Sequence, residues 1–156
     1  MSCRVAALDV GRRALAAAVA ALVLGVACTG PVRNARDFRL KARHSAQAAS
    51  SAVSTSSLAA RIVLKQAAFA AYVAVVLDDA EHDATSVDST FTSLQPPDRR
   101  SDRLREQLGA VLGDVVDAIS GMRIAARRHE WDRVLRIARS LPGLQASLQS
   151  FEDLPA

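Results

Sequence analysis

The chain has 156 residues, of which half are hydrophobic, only 4% are aromatic and 23% are charged. Its formal net charge is +4, and residues 1–27, with three arginines and one aspartate, account for +2 of it, so residues 28–156 carry +2. So small a basic excess is no argument for nucleic-acid binding, and aromatic side chains are too few for a base-stacking surface, so we expect no nucleic-acid partner. Residues 28–156 are enough for one domain with a hydrophobic core.

The segment from Met1 to Cys28 has the layout of a secretory signal peptide. Arg4, Arg12 and Arg13 precede an uncharged run, mostly Ala, Val and Leu, and small residues then lead to Cys28. A membrane-spanning helix needs about 20 apolar residues, and this run is shorter, so an uncleaved membrane anchor is the weaker interpretation. A buried first helix of a cytosolic protein is weaker still. We therefore expect residues 1–27 to be a cleaved leader.

The leader ends in Leu24-Gly25-Val26-Ala27-Cys28, a sequence that resembles the lipobox of bacterial lipoproteins. The lipobox usually has a large aliphatic residue three positions before the cysteine, whereas this chain has Gly25 there and Leu24 one position earlier. The resemblance implies that Cys28 becomes the N-terminus and carries a diacylglyceryl group on its sulfur, with palmitate among the acyl chains. It also implies export to the outer face of the bacterial cytoplasmic membrane. The alternative is an ordinary cleavage near Ala27 that releases a soluble protein.

Residues 28–32 are expected to form a short tether, and residues 33–95 contain neither Gly nor Pro. Such a run, rich in Ala, Leu and Arg, predicts helix, and its length predicts that it folds back once, near Lys65–Ala71. The first predicted helix, 33–66, carries mostly small residues at helical spacing. Its serine-rich part, Ala49–Ser57, is also compatible with a linker, but we favour continuous helix because apolar residues resume directly after it.

The second predicted helix, 69–95, has the clearest periodicity. Its apolar residues alternate at spacings of four and three, which places them on one stripe: Val73, Leu77, Ala80, Ala84, Val87, Phe91 and Leu94. The opposite face is acidic. The third predicted helix, 97–128, follows Pro96–Pro97 and repeats the spacing from Leu104 to Ala125. We expect a neighbouring helix to approach closely at its three glycines, Gly109, Gly113 and Gly121.

Residues 130–151 form the fourth predicted helix, and Pro142–Gly143 interrupt it. Its last part is therefore either a continuation beyond a kink or a separate short helix. Short connections between four helices predict an all-α fold, an up-down-up-down four-helix bundle over residues 33–156. The first helix carries a net charge of +6 and the second one of −5, which favours pairing them, although an exposed ion pair contributes only about 0–1 kcal/mol.

No catalytic or metal-binding motif stands out in the predicted bundle. The densest polar cluster, Asp78–Asp83, has His82 within a helical turn of two carboxylates, but nothing elsewhere completes a di-metal pattern. We expect this cluster to be a solvated acidic face. The segment His129–Asp132 is expected at a turn between helices, and the serines of 50–57 have no adjacent base to activate them. We therefore expect no enzyme, no metal and no cofactor.

The strongest candidate site is a basic arm that begins shortly after Cys28. The basic arm consists of Arg33, Arg36, Arg39, Lys41 and Arg43. Near an anionic membrane surface each such residue contributes about 1 kcal/mol of attraction. The alternative is a solvated helix face. The expected function is binding, as an interaction module or accessory subunit in the cell envelope. A carrier of small apolar ligands, with a cavity between the first helix and the second and third, is the alternative.

Overall fold

The structure is a computed structural model that describes residues 32–65 and 70–155. Its five helices are α1 (Ala35–Leu64), α2 (Ala70–Thr92), α3 (Arg99–Arg127), α4 (Trp131–Ala138) and α5 (Leu141–Glu152). No strand occurs in the described ranges. The predicted leader, Cys28 and most of the tether lie outside the described residues. The prediction of an all-helical protein is confirmed for the part of the chain that the structure describes.

Helix α1 is continuous from Ala35 to Leu64, which confirms helix rather than linker across the serine-rich part. It begins where the Asn34 side chain accepts a hydrogen bond from the Asp37 amide at 2.9 Å, as an N-cap residue does. It ends before Lys65, and the next helix starts at Ala70. The predicted reversal of the chain near Lys65–Ala71 falls largely on residues 66–69, which lie outside the described residues.

Helix α3 starts at Arg99, slightly later than predicted, because Asp98 serves as its N-cap and accepts from the Ser101 amide at 2.8 Å. Its other end is closed at His129, which has a φ of 58°. The His129 amide donates to the Ala126 carbonyl at 3.0 Å, and the Glu130 amide donates to the Ala125 carbonyl at 2.9 Å. These two bonds form a Schellman motif, which satisfies carbonyls that the helix leaves free.

The fourth predicted helix is two helices, α4 and α5, which separate at Arg139 and Ser140. Pro142 lies in the first turn of α5, where its missing N–H leaves no helical hydrogen bond unmade. In the interior of a single helix the same proline would remove a hydrogen bond and clash with the preceding turn. The chain therefore breaks before the proline, and the separate short helix is the correct alternative.

The core is built from the predicted stripes. In α2 the residues Val73, Leu77, Ala80, Ala84 and Phe91 are buried, and Val87 packs partly buried against them, as does Leu94 just after the helix. Helix α1 contributes one large side chain, Phe38, and otherwise small ones. These small core residues of α1 are Ala42, Ala46, Ala49, Ala52, Val53, Ser56, Ala59 and Ala60. The rings of Phe38 and Phe91 meet with their centroids 5.7 Å apart.

Helices α1 and α3 each contact the other four helices, whereas α2 packs mainly on α1 and α3. The glycines of α3 only partly explain this packing. A Cβ atom on Gly121 would lie 3.1 Å from Cδ1 of Ile137 in α4, so a close approach occurs there. A Cβ on Gly109 would make an ordinary contact at 3.6 Å, and one on Gly113 would meet nothing within 4 Å. The prediction of close approach is therefore wrong for Gly113.

Candidate functional site

The basic arm is not one continuous exposed surface. Arg33 and Arg36 are exposed, whereas Arg39, Lys41 and Arg43 are half-buried. The difference follows from helical spacing, because α1 turns the successive basic residues toward different neighbours. Of the five, Arg33 and Arg36 present their side chains most openly to solvent.

Arg43 is used within the fold. Its Nε donates a hydrogen bond to the backbone carbonyl of Glu152, the last residue of α5, at 2.9 Å. The carboxylate of Glu152 in turn accepts a hydrogen bond from the Ser50 hydroxyl. A cationic side chain at a helix C-terminus both satisfies a free carbonyl and complements the helix dipole. These contacts attach the end of α5 to α1.

Arg39 lines a cleft that the structure forms between the start of α1, the start of α3 and the residues after α5. This basic cleft has a volume of about 450 Å³. The residues that line it are Ala35, Arg39, Arg100, Ser101, Arg103, Leu104, Gln107, Leu154 and Pro155. Three of them are arginines and none is acidic. The basic cleft is therefore a concave site whose charged lining is entirely positive.

The Nε of Arg39 is buried and has no hydrogen-bond partner among the described residues. A buried donor without a partner costs about 1–3 kcal/mol, so such atoms are rare in folded proteins. Arg103 and Arg100 are exposed at the same cleft. The guanidinium groups of the three arginines give the basic cleft its positive charge.

Asp98 stands next to the basic cleft but already has partners. Hydrogen bonds from Ser101, first of all from its backbone amide, hold the pKa of the Asp98 carboxyl below its usual value, with a smaller contribution from Arg100. The carboxylate therefore occupies the amide donors at the start of α3. What the basic cleft offers to a ligand is its side chains rather than the end of the helix.

Sequence reasoning did not identify Arg100 and Arg103 as partners of the basic arm. They follow a whole helix later in the chain, and nothing local relates them to Arg39. The signal that could have found them is the density of arginine directly after Pro96–Pro97. In the fold, the start of α1 and the start of α3 lie side by side at the basic cleft.

A second cavity, the α1–α4–α5 groove, has a volume of about 580 Å³. Its lining is more apolar and includes Leu64, Leu135 and Leu141, with Arg61 and Arg139 also present. The side-chain oxygen of Gln145, another lining residue, is buried without a partner. This groove lies against α4 and α5, whereas the expected carrier cavity was placed between the first helix and the second and third.

The acidic cluster of α2 makes ion pairs with α3. Arg123 contacts both carboxylate oxygens of Glu81, with 3.1 Å between Nη2 and Oε1. Arg127 donates to Asp78 at 2.8 Å. The hydrogen bond from Arg123 lowers the pKa of Glu81, and the same bond raises the pKa of Arg123. These contacts join the acidic second helix to the third.

The other polar candidates have structural surroundings. His82 is exposed on α2, and no group of three or more His, Cys, Asp or Glu in the described residues is placed to hold a metal ion. His129 is the left-handed residue after α3, and its ring meets the edge of Trp131 with centroids 5.8 Å apart. The buried hydroxyl of Ser56 donates to the carbonyl one turn earlier, at Ala52.

Comparisons with known proteins give no relative for this chain: no family model, curated protein or solved structure matches it. Within residues 32–65 and 70–155, no helix is long and apolar enough to cross a membrane.

Proposed function

We propose that this protein is a lipid-anchored lipoprotein of the bacterial cell envelope that acts by binding rather than by catalysis. Residues 1–27 are its signal peptide, and Cys28 carries the lipid. The observation that carries the proposal is the arginine-led apolar leader that ends in Val26-Ala27-Cys28, a few residues before a helical domain. Two or more acyl chains hold a protein on a membrane far longer than one chain does.

We propose that the domain is an up-down-up-down bundle whose fourth segment is the pair α4 and α5. The short connections between helices support this topology. The contact of Phe38 with Phe91 joins the start of α1 to the end of α2, as antiparallel neighbours require. The bond between Arg43 and Glu152 likewise joins the start of α1 to the end of α5.

The anchor places the start of α1 near the membrane surface. Four peptide units separate Cys28 from Val32, and an extended chain of that length spans at most about 14 Å. Electrostatic attraction in physiological salt extends over about 8 Å, so the exposed Arg33 and Arg36 contribute when this segment is not fully extended. The domain binds its partner in the envelope from this position.

A carrier of small apolar ligands is the second candidate, and the α1–α4–α5 groove favours it. Its volume of about 580 Å³ falls in the range of small-molecule sites. Replacing Leu135 with Arg in the groove would then abolish binding of an apolar fluorescent probe. A probe that binds both proteins equally, or neither, argues against the carrier.

The experiment that tests the lipoprotein proposal is intact-mass analysis of the membrane fraction. We expect the wild-type chain to begin at Cys28 and to carry a diacylglyceryl group, and Cys28→Ser to lack both changes. Cys3→Ser is the matched control, because Cys3 is the other cysteine of the chain and lies within the leader. Recovery of the complete, unmodified wild-type chain from the cytoplasm would contradict the proposal.

A further inference from the structure

We propose that the basic cleft binds a phosphate group. Arg39, Arg100 and Arg103 line one cavity, and no acidic residue lines it with them. The positive charges of the three arginines around one cavity repel one another. A bound anion offsets this repulsion because it attracts each of them. The inference concerns the cleft alone and stands whether or not Cys28 carries lipid.

Phosphate fits this lining better than a monatomic anion does. A guanidinium group presents its N–H donors in a planar fork that matches two oxygens of a phosphate at once. Arg39 lines the basic cleft, and its Nε has no partner among the described residues. A phosphate bound beside Arg39 and Arg103 has oxygens enough to accept from both side chains.

The remaining lining indicates that the phosphate belongs to a larger molecule. The cavity of about 450 Å³ is larger than one phosphate needs, and Leu104 and Leu154 form an apolar part of its wall. Gln107 adds an amide that can hydrogen-bond to a hydroxyl of the same ligand. The chemistry recognised is thus a phosphate ester with a small polar and apolar remainder. A phospholipid head group and a soluble phosphate ester both satisfy this description.

The test is a binding titration of the full chain in a neutral detergent, with inorganic phosphate as the first probe and chloride used to hold ionic strength constant. We expect saturable binding that weakens about tenfold in Arg39→Gln and in Arg103→Gln, since a charge-assisted hydrogen bond contributes that factor. Arg136→Gln is the matched control: it removes the same charge from an exposed residue of α4 that does not line the cleft. Its binding should equal that of the wild type.

A second probe, a short-chain phosphatidylglycerol, distinguishes the two sources of phosphate. Tighter binding of this lipid than of inorganic phosphate identifies a head group as the ligand, and tighter binding of inorganic phosphate identifies a soluble one. Either result supports the proposal if Arg39→Gln and Arg103→Gln both weaken binding of the preferred probe. Circular dichroism checks that the variants keep their helical content. Because Arg103 is exposed and Arg39 is half-buried, substitution of Arg103 should disturb the fold less.

The proposal is overturned if the wild-type chain binds neither probe saturably. It is also overturned if binding survives both cleft substitutions, or if Arg136→Gln weakens binding as much as they do. The last result would show general attraction to a basic surface instead of a site. None of these outcomes bears on the lipid at Cys28, so failure of this inference is distinct from failure of the proposed function.

Discussion

Glu81 and Arg123 form the least exposed of the ion pairs that join described residues. Each side chain is only 20% exposed, whereas Arg127 and Asp78 are both more than half exposed. Their contact lies between α2 and α3, so it links two helices that the chain connects through Pro96–Pro97. A partly buried pair with two hydrogen bonds is expected to contribute more than an exposed one.

The stability that Glu81 contributes should depend on pH. Its pKa in the folded protein is lowered from 4.5 by the hydrogen bond from Arg123, so its contribution is complete above that value and disappears as the pH falls through the lowered pKa. We expect Glu81→Gln to reduce the free energy of unfolding by about 1 kcal/mol at neutral pH. Denaturant unfolding at neutral and at strongly acidic pH measures the difference in free energy of unfolding between the wild type and Glu81→Gln. This difference should be smaller in acid.

Asp83→Asn is the control for this prediction, since Asp83 is an exposed acid on the same helix that is not among the described ion pairs. Its effect on unfolding should be small at both pH values. An effect of Glu81→Gln that stays constant with pH would show that the carboxylate charge does not stabilise the fold.

His129 adopts a backbone conformation that favours glycine. Its φ of 58° closes α3 through the Schellman motif, and an L-residue with a side chain pays about 1–2 kcal/mol for left-handed geometry. The contact of its ring with Trp131 offsets part of this cost. The short turn between α3 and α4 keeps the strained conformation because both helices are packed into the core.

Glycine at position 129 should therefore stabilise the protein. We expect His129→Gly to raise the free energy of unfolding by about 0.5–1 kcal/mol, after allowance for the added freedom of the unfolded chain. His82→Gly is the matched control, because His82 is exposed inside α2, where glycine costs about 1 kcal/mol. Thermal unfolding should shift in opposite directions for the two variants, and a decrease for both would disprove the strain at His129.

Helix α3 contains glycines with different surroundings, and these decide what alanine would do there. At Gly113 the space beyond the backbone is open, so only helix propensity changes. At Gly121 a new Cβ would press on the end of the Ile137 side chain, which reaches over from α4. The same substitution therefore tests local preference at one position and helix–helix packing at the other.

We expect Gly113→Ala to stabilise the domain by about 0.5–1 kcal/mol, because alanine restricts the unfolded chain and favours helix. Gly121→Ala has the same local gain, but the contact with Ile137 should cancel part or all of it. Denaturant titration of the two variants measures both changes. Equal gains at the two positions would mean that α4 moves away at no cost.

In the described domain, the arginines of the basic arm and of the basic cleft are close to one another. The start of α1 and the start of α3 together hold most of the arginines of the basic arm and the basic cleft. Two acidic residues of α2, Asp78 and Glu81, pair instead with Arg123 and Arg127 in the last part of α3. In the sequence, Cys28 precedes the start of α1.

Substitutions in the basic arm should separate into two classes. We expect the double change Arg33→Gln and Arg36→Gln to weaken binding to anionic vesicles about fivefold per residue, corresponding to about 1 kcal/mol each, with little effect on stability. Arg43→Gln should instead lower the free energy of unfolding by about 1 kcal/mol, because it removes the hydrogen bond to Glu152. Vesicle flotation and denaturant unfolding of residues 32–156 measure the two effects. Vesicle binding that does not respond to salt or to the double change would contradict a membrane role for the basic arm.

Much of the helical fold could be predicted because its signals are local. The apolar spacing of α2 from Val73 to Leu94 and the break at Pro96–Pro97 depend only on residues within a few turns of each other. The same holds for the continuity of α1, whose small residues keep the helical period through its serines. Hydrogen bonds inside a helix join near neighbours, so a sequence pattern suffices to place them.

The contacts between helices required the folded structure. Arg39 shares a cleft with Arg103, Arg43 meets the end of α5, and Gly113 faces open space, because the rotation and offset of packed helices put them there. Small residues such as those of α1 allow several such arrangements, so their spacing does not choose one. The basic cleft exists because side chains from two helices far apart in the chain pack side by side, and the free energy that holds them together comes from the core as a whole.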